Sequence, residues 1–308
     1  MVETIGVCRV VVEIVNNQNT IKSPNKPLSR QPARFKCRDR ELPLGSRTYI
    51  MGILNATPDS FYDGGRYYNL DDALRRIARM VVEGADIIDI GGESTRPGSV
   101  GVSEEEELRR TIPIIKQARK QFDVVLSIDT TKSEVAREAL EEGASIVNDI
   151  SGLKFDPDIA LVAAEYRAGL ILMHTTSRPY DMQSKAQYSD IVSDITRSLT
   201  ESIKLAEEKG VDPEGILIDP GFGFGKTISH NLTLLKRLSE FLVIGKPILI
   251  GTSRKSFIGK TVGDAEETLE GTAATVAVGI MNGASVIRVH DVLYMKRVAR
   301  MVDAVLSA

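Results

Sequence analysis

The sequence predicts an α/β protein with a (β/α)8 TIM barrel fold, and two observations support this prediction. Short apolar runs alternate with amphipathic, charged segments eight times between Ile50 and the C-terminus, which is typical of buried parallel strands separated by helices. Gly84, Gly143 and Gly283 each stand between a helical segment and the next apolar run, where glycine commonly ends a helix. An open doubly wound sheet is the alternative, and it would place ligands in one crevice where the strand order reverses.

The N-terminal part differs from this repeating region. Residues 1–33 are predicted to form an extension and linker, because Asn16–Pro32 is rich in Asn, Lys, Ser and Pro. We expect this extension to be flexible or to cover the bottom of the barrel. The stretch from Phe35 to Ser46 predicts a short β-hairpin-like entry segment with a turn at Pro43–Gly45. The barrel domain is predicted to span residues 34–308.

Each barrel strand is predicted from a short apolar run, and each helix from the amphipathic segment that follows it. At the start of the second helix, Ser103 followed by Glu106 resembles a capping box. The predicted strands are Ile50–Leu54, Asp86–Ile90, Val124–Ile128, Ser145–Val147, Gly169–Met173, Ile216–Ile218, Ile248–Ile250 and Val286–Val289. The predicted helices are Leu70–Glu83, Ser103–Gln121, Lys132–Glu142, Asp158–Glu165, Tyr188–Lys209, Asn231–Glu240, Glu266–Met281 and Leu293–Leu306.

Composition and charge exclude several classes of function. The chain has 308 residues and a formal net charge of −3, so an anion site must be local, and nucleic acid or an acidic membrane is not an expected partner. Two cysteines, Cys8 and Cys37, cannot form a disulfide framework or a four-ligand zinc site. No apolar run approaches the roughly 18 residues of a membrane span, and the N-terminus lacks a signal-peptide cleavage pattern. The sequence therefore predicts a soluble, cytoplasmic protein.

Polar or ionisable side chains stand at or just after nearly every predicted strand. In a barrel the carboxyl ends of all strands meet at one face, which is where active sites lie. A series of eight such positions therefore predicts a functional site at that face. The residues are Asn55, Glu93, Thr95, Arg96, Asp129, Asn148, Asp149, His174, Asp219, Ser253, Arg254, Lys255, Arg288 and His290.

The acidic and amide side chains form one chemical group. Asp129, Asn148 and Asp219 offer the acceptors and the amide that match the hydrogen-bonding edge of an amino-pyrimidinone ring. Asp219 directly precedes Pro220, so a turn-forming role stays open for it. Asn55 could give an oxygen ligand to Mg²⁺ held mainly by substrate phosphates, and a purely structural strand-end asparagine is an equal alternative.

The cationic side chains form the second group. Arg96, Lys255, Arg288 and His290 would hold an anion such as diphosphate. Arg288 could instead pair with the nearby Asp291. The two groups together predict a site for a neutral heterocycle that carries a phosphate tail.

The glycine-rich segment from Gly221 to Thr227 resembles a phosphate loop but fails both known patterns. Pro220 stands where the Walker motif needs a glycine, and the third glycine comes one residue too early for the dinucleotide fingerprint. We expect these glycines to let the backbone approach a flat ligand while Phe224 packs on it. His230 is predicted to lie on the surface. The sequence contains neither H-E-x-x-H nor G-x-S-x-G, so zinc and serine hydrolases are not favoured.

Eight motifs along the chain resemble the dihydropteroate synthase family, in order and with fitting spacing. They are MGILNATPDSFYDGG, GADIIDIGGESTRPGS, SIDTTK, NDISG, LMH, IDPGFGFGK, GTSRKSFIG and IRVHD, and the resemblance runs from about Arg34 to the C-terminus. It implies a (β/α)8 barrel and a homodimer. It also implies the Mg²⁺-dependent condensation of 6-hydroxymethyl-7,8-dihydropterin diphosphate with p-aminobenzoate, which gives 7,8-dihydropteroate and diphosphate in folate biosynthesis.

The resemblance also implies roles for individual residues, assigned by motif position. Pterin binding is implied for Asp129, Asn148, Met173, Asp219, Phe224 and Lys255. Diphosphate binding is implied for Asn55, Thr95, Arg288 and His290, with Asn55 also a metal ligand. The aminobenzoate pocket would be lined by Phe61, Pro97 and Ser256. Catalytic roles are implied for Asp63, Arg96, Lys255, Arg288 and His290, with Asp63 and Arg96 on two mobile loops.

One segment departs from the family pattern, and three other functions remain open. Thr175–Pro179 follows His174, where family members commonly have Met after the His and Gly before the Pro. A pterin-dependent methyltransferase is one alternative, and a pterin-binding paralogue without catalysis is another. A third is an enzyme that uses another arylamine, such as one bearing a sugar phosphate. The cationic pair Arg288 and His290 and the TPDSF loop favour the synthase over the methyltransferase.

Overall fold

Eight parallel strands close into a barrel in the computed structural model, which confirms the predicted fold class. The structure describes residues 32–57, 70–96, 98–182, 184, 187–264 and 268–308. The strands are β1 (Ala33–Cys37), β2 (Arg40–Leu44), β3 (Tyr49–Asn55), β4 (Ile87–Gly91), β5 (Val125–Asp129), β6 (Ile146–Asp149), β7 (Gly169–Met173), β8 (Ile216–Asp219), β9 (Ile248–Ile250) and β10 (Ala284–Val289). The barrel runs from β3 to β10, and β10 closes it by pairing with β3.

Helices follow the barrel strands, and none of those in the described ranges is long and apolar enough to cross a membrane. The α-helices are α1 (Leu70–Glu83), α2 (Glu104–Gln121), α3 (Ser133–Glu141), α4 (Ile159–Glu165), α5 (Ile191–Glu208), α6 (Ile228–Lys236), α7 (Ser256–Val262), α8 (Leu269–Met281) and α9 (Val292–Ser307). Within the described ranges, two short 3₁₀ segments span Pro213–Gly215 and Leu238–Ile244.

The sixth predicted helix is the one that differs most from the structure. The prediction placed one helix over Asn231–Glu240, whereas α6 begins at Ile228 and a 3₁₀ segment follows it. The Thr227 side chain accepts the His230 N–H, and the His230 ring accepts the Thr227 N–H, which together fix the earlier start. His230 therefore lies in a cap at the protein surface, where it is partly exposed, in agreement with the prediction.

The predicted capping box of α2 is only half formed. The Ser103 hydroxyl accepts the Glu106 N–H at 3.2 Å, as the sequence predicts. The Glu106 carboxylate, however, binds Arg109 and Arg110, at 2.7 to 2.8 Å. Two guanidinium groups within one helical turn are stronger partners for a carboxylate than one backbone N–H.

The turn of the entry hairpin lies earlier than the sequence predicts. β1 and β2 are joined at Arg38–Asp39, and Pro43 lies within β2. Arg38 takes a left-handed backbone conformation, with φ of 59°, and the Arg38 N–H donates to the Arg167 carbonyl at 2.7 Å. Contacts with the barrel thus hold a turn that has no local glycine or proline signal. Pro43 is tolerated because β2 is an edge strand of a two-stranded sheet.

The entry hairpin closes the N-terminal end of the barrel. Phe35, Cys37 and Leu44 are buried there and join one apolar cluster with inward-facing side chains of the barrel strands. Burial raises the pKa of the Cys37 thiol to about 12, so this cysteine behaves as a packing residue. The polar strand-end residues lie at the opposite end. The predicted boundary between residues 1–33 and the barrel remains a prediction, since residues 1–31 lie outside the described ranges.

Gly169, the first residue of β7, is expected not to tolerate a larger residue. A Cβ at Gly169 would lie 2.5 Å from Cζ of Phe35 and 3.1 Å from Cβ of Cys37. We expect Gly169→Ala to lower the free energy of unfolding by about 1 to 3 kcal/mol, the usual cost of overpacking a core. The measurement is urea unfolding at equilibrium. The control is Gly251→Ala, whose Cβ would meet nothing nearer than 3.8 Å. Equal stability of the two variants would contradict the close packing beneath β7.

Candidate active site

The polar strand-end side chains come together at the C-terminal end of the barrel. Asp129 is the last residue of β5 and is paired in register with Asn148 on β6. Met173 and Asp219 are the register-paired last residues of β7 and β8. Asp129, Asn148 and Asp219 are buried, and buried polar groups need partners to offset the loss of water.

Arg288 on β10 is the partner for two buried carboxylates. The Arg288 Nε donates to Oδ2 of Asp89 at 2.6 Å, and Nη2 donates to Oδ2 of Asp129 at 2.5 Å. The Asn148 Nδ2 donates to the same Asp89 oxygen at 3.0 Å. The alternative pairing of Arg288 with Asp291 was wrong, since Asp291 binds the Arg254 guanidinium.

The electrostatics of this cluster follow from its burial. Burial raises the pKa of Asp129 to about 7, although Arg288 opposes this shift. Burial lowers the pKa of Arg288, but Asp89 and Asp129 more than offset it, so the guanidinium keeps its charge. The Arg288 guanidinium therefore lies between Asp89 and Asp129 with its positive charge intact.

Asp219 at the end of β8 and Lys255 just before α7 lie close enough to interact electrostatically. The Asp219 Oδ1 accepts the Gly221 N–H at 2.7 Å, so Asp219 does form a turn and also lies at the site. The Lys255 ammonium donates to the Phe222 carbonyl and lies 4.4 Å from the centre of the Phe224 ring. Burial lowers the pKa of Lys255 to about 8, and Asp219 opposes this shift.

An apolar wall stands beside this pair. Phe224, Met173, Ile150 and Met182 form a separate buried cluster. Phe224 contacts the Lys255 ammonium, so the cluster borders the charged part of the site. Phe224 and Met173 were predicted here, whereas Ile150 and Met182 were not.

The glycine-rich segment after β8 packs tightly against the loop after β7. Gly221 has φ of 74°, and a Cβ there would lie 2.0 Å from the His174 carbonyl oxygen, so only glycine fits. Lys226 is buried and donates to the Phe224 carbonyl at 2.8 Å. Its Nζ also lies 3.2 Å from the His174 Nδ1. Lys226 therefore faces the interior, which agrees with rejecting a phosphate loop.

The atypical loop after β7 contacts both of its neighbours. The Thr176 hydroxyl donates to the Met182 carbonyl at 3.2 Å, and a Cβ at Gly225 would lie 2.2 Å from that hydroxyl. The Gly98 N–H donates to the Pro179 carbonyl at 3.0 Å. The departure from the family pattern is therefore fitted to the glycine-rich segment on one side and the loop after β4 on the other.

His290 follows β10 and is held by the loop after β9. The Ser253 hydroxyl lies 3.1 Å from the His290 Nδ1 and accepts the His290 N–H at 3.2 Å. Burial lowers the pKa of His290 to about 3, and the cations Arg288, Arg254 and Arg96 add to this effect. His290 is therefore neutral at pH 7 in this structure.

The loop between β4 and α2 carries Thr95 and Arg96 and is anchored by a buried ion cluster. The Lys132 ammonium binds the carboxylates of Glu93, at 2.6 Å, and Glu107, at 2.5 Å. Glu107 is only 1% exposed, and burial raises its pKa although Lys132 opposes the shift. Thr95 is half-buried and Arg96 is exposed.

The remaining predicted site residues lie at the end of β3, at the start of α7, or outside the described residues. Asn55 is the half-buried last residue of β3 and is paired in register with Gly91. Ser256 is the exposed first residue of α7. Phe61, Asp63 and Pro97 lie outside the described residues.

Asn55 is a candidate oxygen donor for the implied metal among the described residues. They contain no group of three or more His, Cys, Asp or Glu side chains that could hold a metal ion. The amide oxygen of Asn55 at the strand end is a hard ligand. It fits Mg²⁺, which commonly takes one or two protein ligands and completes its shell with water and substrate phosphates.

Comparison with known proteins decides the family. The sequence pattern of the pterin binding enzymes matches residues 51–290. A dihydropteroate synthase of Synechocystis sp. is 50% identical over 262 residues, which are 84% of this chain and 91% of the relative. The chain belongs to the dihydropteroate synthase family.

Solved structures of the dihydropteroate synthase family have the same barrel. The enzyme of Yersinia pestis, in a complex with a sulfonamide drug, is 42% identical, with a TM-score of 0.84 over 89% of this chain and 100% of its own. The enzyme of Xanthomonas albilineans with 4-aminobenzoic acid is 40% identical, with a TM-score of 0.84 over 90% of this chain and 100% of its own. The resemblance seen in the motifs is confirmed.

The sequence prediction missed three buried charged residues in this member of the dihydropteroate synthase family. Asp89 and Glu107 are at most 1% exposed, and Lys226 is 4% exposed. Asp89 lies within the apolar run IIDI of β4 rather than at its end. A lone carboxylate inside a buried strand is costly unless it is paired, so its position within the run was the available signal.

Proposed function

We propose that the chain catalyses the dihydropteroate synthase reaction with p-aminobenzoate as its arylamine. The proposal rests on one observation: hydrogen-bond acceptors and cationic side chains lie together at the C-terminal end of the barrel. Asp129, Asn148 and Asp219 supply the acceptors and the amide, and Lys255 and Arg288 supply the charge. Membership of the dihydropteroate synthase family supports the reaction type.

The pterin is proposed to lie over the acceptors and against the apolar wall. A carboxylate such as Asp219 can accept two parallel N–H groups from the amino-pyrimidinone edge. The Lys255 ammonium would donate to the ring carbonyl, and Asn148 and Asp129 would bind ring nitrogens. Met173 and Phe224, buried beside Lys255, would pack on the ring.

The diphosphate is proposed to lie toward β10 and β3. Arg288, His290 and Thr95 would bind its oxygens, and Asn55 would hold Mg²⁺. When bound, Mg²⁺ would neutralise negative charge on the diphosphate. Burial and neighbouring cations lower the pKa of His290 to about 3, and an arriving anion would offset the cations and so raise that pKa.

The proposed chemistry needs no nucleophilic side chain. The bond between the pterin methylene and the diphosphate oxygen breaks, and the diphosphate leaves with the bonding electrons. The arylamine nitrogen attacks the methylene cation, which the pterin ring stabilises, and then loses a proton. Arg288 stabilises the departing charge, and the loops that carry Asp63 and Arg96 would shield the cation from water.

The aminobenzoate is proposed to bind where the loop after β9 reaches α7. Ser256 is exposed next to Lys255 and can donate to a carboxylate, while Phe61 and Pro97 would pack on the ring. Because the Yersinia pestis enzyme was crystallised with a sulfonamide drug, we propose that sulfonamides compete with p-aminobenzoate here.

The test of the proposed function is product formation. Purified protein is incubated with pterin diphosphate, Mg²⁺ and p-aminobenzoate, and 7,8-dihydropteroate is sought by mass spectrometry. Its appearance is the expected result. Bound pterin without product would instead favour the non-catalytic paralogue, and product with only another amine would favour the third alternative. Methyl transfer from a methylated pterin would favour the methyltransferase.

A pH profile tests the proposed role of Lys255. The ammonium must keep its proton to donate to the pterin, and its pKa in the free protein is about 8. We expect kcat/KM for the pterin diphosphate to fall above about pH 8, roughly tenfold per unit. The control is Lys255→Arg, which stays charged and should lose this alkaline limb. A wild-type profile that stays flat to about pH 10 would contradict the role.

A homodimer and a cytoplasmic location complete the proposal. On α8, Ala274, Val278 and Met281 are exposed along one stripe, and Tyr294 and Met301 are exposed on α9, which packs beside it. Apolar side chains on adjacent helices are typical of a subunit interface. Light scattering would measure the mass of the assembly.

A further inference from the structure

We propose that Asp89 is a positioning residue, which sets Arg288 for the diphosphate and Asn148 for the pterin. The inference rests on the function proposed above. Asp89 lies in the middle of β4 and has no solvent exposure. It would therefore act through the two side chains that it binds.

One oxygen of Asp89 joins the two subsites. Its Oδ2 accepts the Arg288 Nε at 2.6 Å and the Asn148 Nδ2 at 3.0 Å. Arg288 also binds Asp129. Asp129 is paired in register with Gly91, which follows Asp89 by two residues on β4, so Asp129 lies nearer the strand ends. Asp89 thus holds the guanidinium from below, and Asp129 meets it at the strand ends.

Asp89 and Asp129 together use only part of the hydrogen-bonding capacity of the Arg288 guanidinium. Arginine has one N–H on Nε and four on its two Nη atoms. With Nε fixed by Asp89 and one Nη2 hydrogen bound to Asp129, three N–H groups remain for diphosphate oxygens. A preorganised guanidinium loses less side-chain entropy when it binds an anion.

Asp89 also determines which end of the Asn148 amide faces the ligand. An ionised carboxylate only accepts hydrogen bonds, so it selects the Nδ2 end of the amide. The Asn148 carbonyl oxygen and the second Nδ2 hydrogen then remain for the pterin. That order of acceptor and donor is a specificity element, because the opposite orientation would present a different pattern to the ring nitrogens.

The second carboxylate oxygen of Asp89, Oδ1, indicates that this residue is not kept for stability alone. Among the described residues, Asp89 Oδ1 is buried without a hydrogen-bond partner. A buried carboxylate oxygen left unpaired lowers stability. The chain keeps a full carboxylate at this position, where both Arg288 and Asn148 need an acceptor.

The test compares Asp89→Asn with the wild type in binding of two probes. The amide is isosteric but loses the charge, and hydrogen bonds to charged groups contribute enough for a change of about tenfold or more in affinity. We expect the pterin diphosphate to bind at least tenfold more weakly. We expect 6-hydroxymethyl-7,8-dihydropterin, which lacks the diphosphate, to bind about threefold to tenfold more weakly through Asn148. The KM for p-aminobenzoate should change less than twofold.

A double-mutant cycle separates positioning from a direct contact. In an Arg288→Met background, Asp89→Asn should no longer weaken diphosphate-dependent binding, because Asp89 has lost the side chain through which it acts. The effect on the plain pterin should persist. Arg288→Met alone leaves both Asp89 and Asp129 without their guanidinium partner, whereas the double variant leaves only Asp129, so it should be more stable than Arg288→Met alone. If Asp89→Asn alone folds poorly, the double variant and Arg288→Met can still be compared in binding of the plain pterin.

The matched control is Ser127→Ala. Ser127 is paired in register with Asp89 and is equally buried, but its hydroxyl has no hydrogen-bond partner among the described residues. It should bind both probes within twofold of the wild type. Unchanged binding by Asp89→Asn, or an undiminished effect in the Arg288→Met background, would overturn the inference. Failure of the proposed function is distinct, since the wild type would then form no dihydropteroate.

Discussion

Asp219→Asn is expected to lower kcat/KM for the pterin diphosphate by about 100-fold or more. Asp219 is 6% exposed at the end of β8 and is held by the Gly221 N–H. The carboxylate is proposed to accept two N–H groups of the pterin, and each charge-assisted bond contributes about 1.5 to 3 kcal/mol. An amide replaces one acceptor with a donor and turns a matched contact into a repulsive one. Steady-state kinetics with varied pterin diphosphate measures the effect.

The control for Asp219→Asn is Asp149→Asn at the end of β6. Asp149 is buried to a similar degree, but its carboxylate is used by the backbone N–H groups of Ser151 and Leu153, at 2.7 and 2.6 Å. We expect Asp149→Asn to lower stability while the folded protein keeps its affinity for the pterin. Near wild-type kinetics for Asp219→Asn would contradict the placement of the pterin.

Lys132→Met is expected to lower the free energy of unfolding by about 3 to 5 kcal/mol at pH 7. Lys132 is the bridge between Glu93 and the buried Glu107, and removal of one partner leaves a buried charge uncompensated. Burial already raises the pKa of Glu107 against the effect of Lys132, so its loss should raise that pKa further. Urea unfolding at several pH values measures the cost.

The sign of the pH dependence follows from the direction of this shift. An acid whose folded-state pKa lies above its unfolded value binds its proton more tightly when folded, so stability falls as the pH rises through that window. The Lys132→Met variant should therefore regain stability as the pH is lowered from 7 toward about 5. The control is the double variant Lys132→Met with Glu107→Gln, which should recover much of the loss. A variant equally stable at both pH values would contradict a buried, charged Glu107.

Loss of the Lys132–Glu93–Glu107 cluster should also loosen the active-site loop between β4 and α2. Glu93 begins the loop that carries Thr95 and Arg96, and its Oε2 also accepts the Val102 N–H, near the end of the loop, at 3.3 Å. The anchor thus holds the loop at both ends.

The barrel was predictable from the sequence because its strands are buried on both faces. Such strands appear as continuous apolar runs, and every predicted run overlaps a strand of the barrel, with bounds that differ by up to two residues. The short helix α7 was not predicted, because its sequence SFIGKTV contains an internal glycine and several β-branched residues, which disfavour a helix. The hairpin turn at Arg38 depends on the Arg167 carbonyl, a tertiary contact that local residue preferences do not contain.

The site was predictable in its members but not in its pairings. The carboxyl ends of barrel strands lie at one face. The sequence therefore predicted that Asp129, Asn148, Asp219 and Arg288 would lie together there. The partner that holds Arg288 from below, Asp89, is 199 residues away in the chain. No local spacing relates two residues at that separation, so the sequence offered the nearer Asp291 instead.

The most direct test of the central claim is to quantify diphosphate and 7,8-dihydropteroate in the same reaction. Wild-type protein is mixed with pterin diphosphate, Mg²⁺ and p-aminobenzoate, and Arg288→Met serves as the impaired comparison. We expect the two products in equal amounts, at a rate that Arg288→Met lowers strongly, because one bond cleavage supplies one methylene to one arylamine. Diphosphate release without dihydropteroate, or full activity of Arg288→Met, would contradict the account.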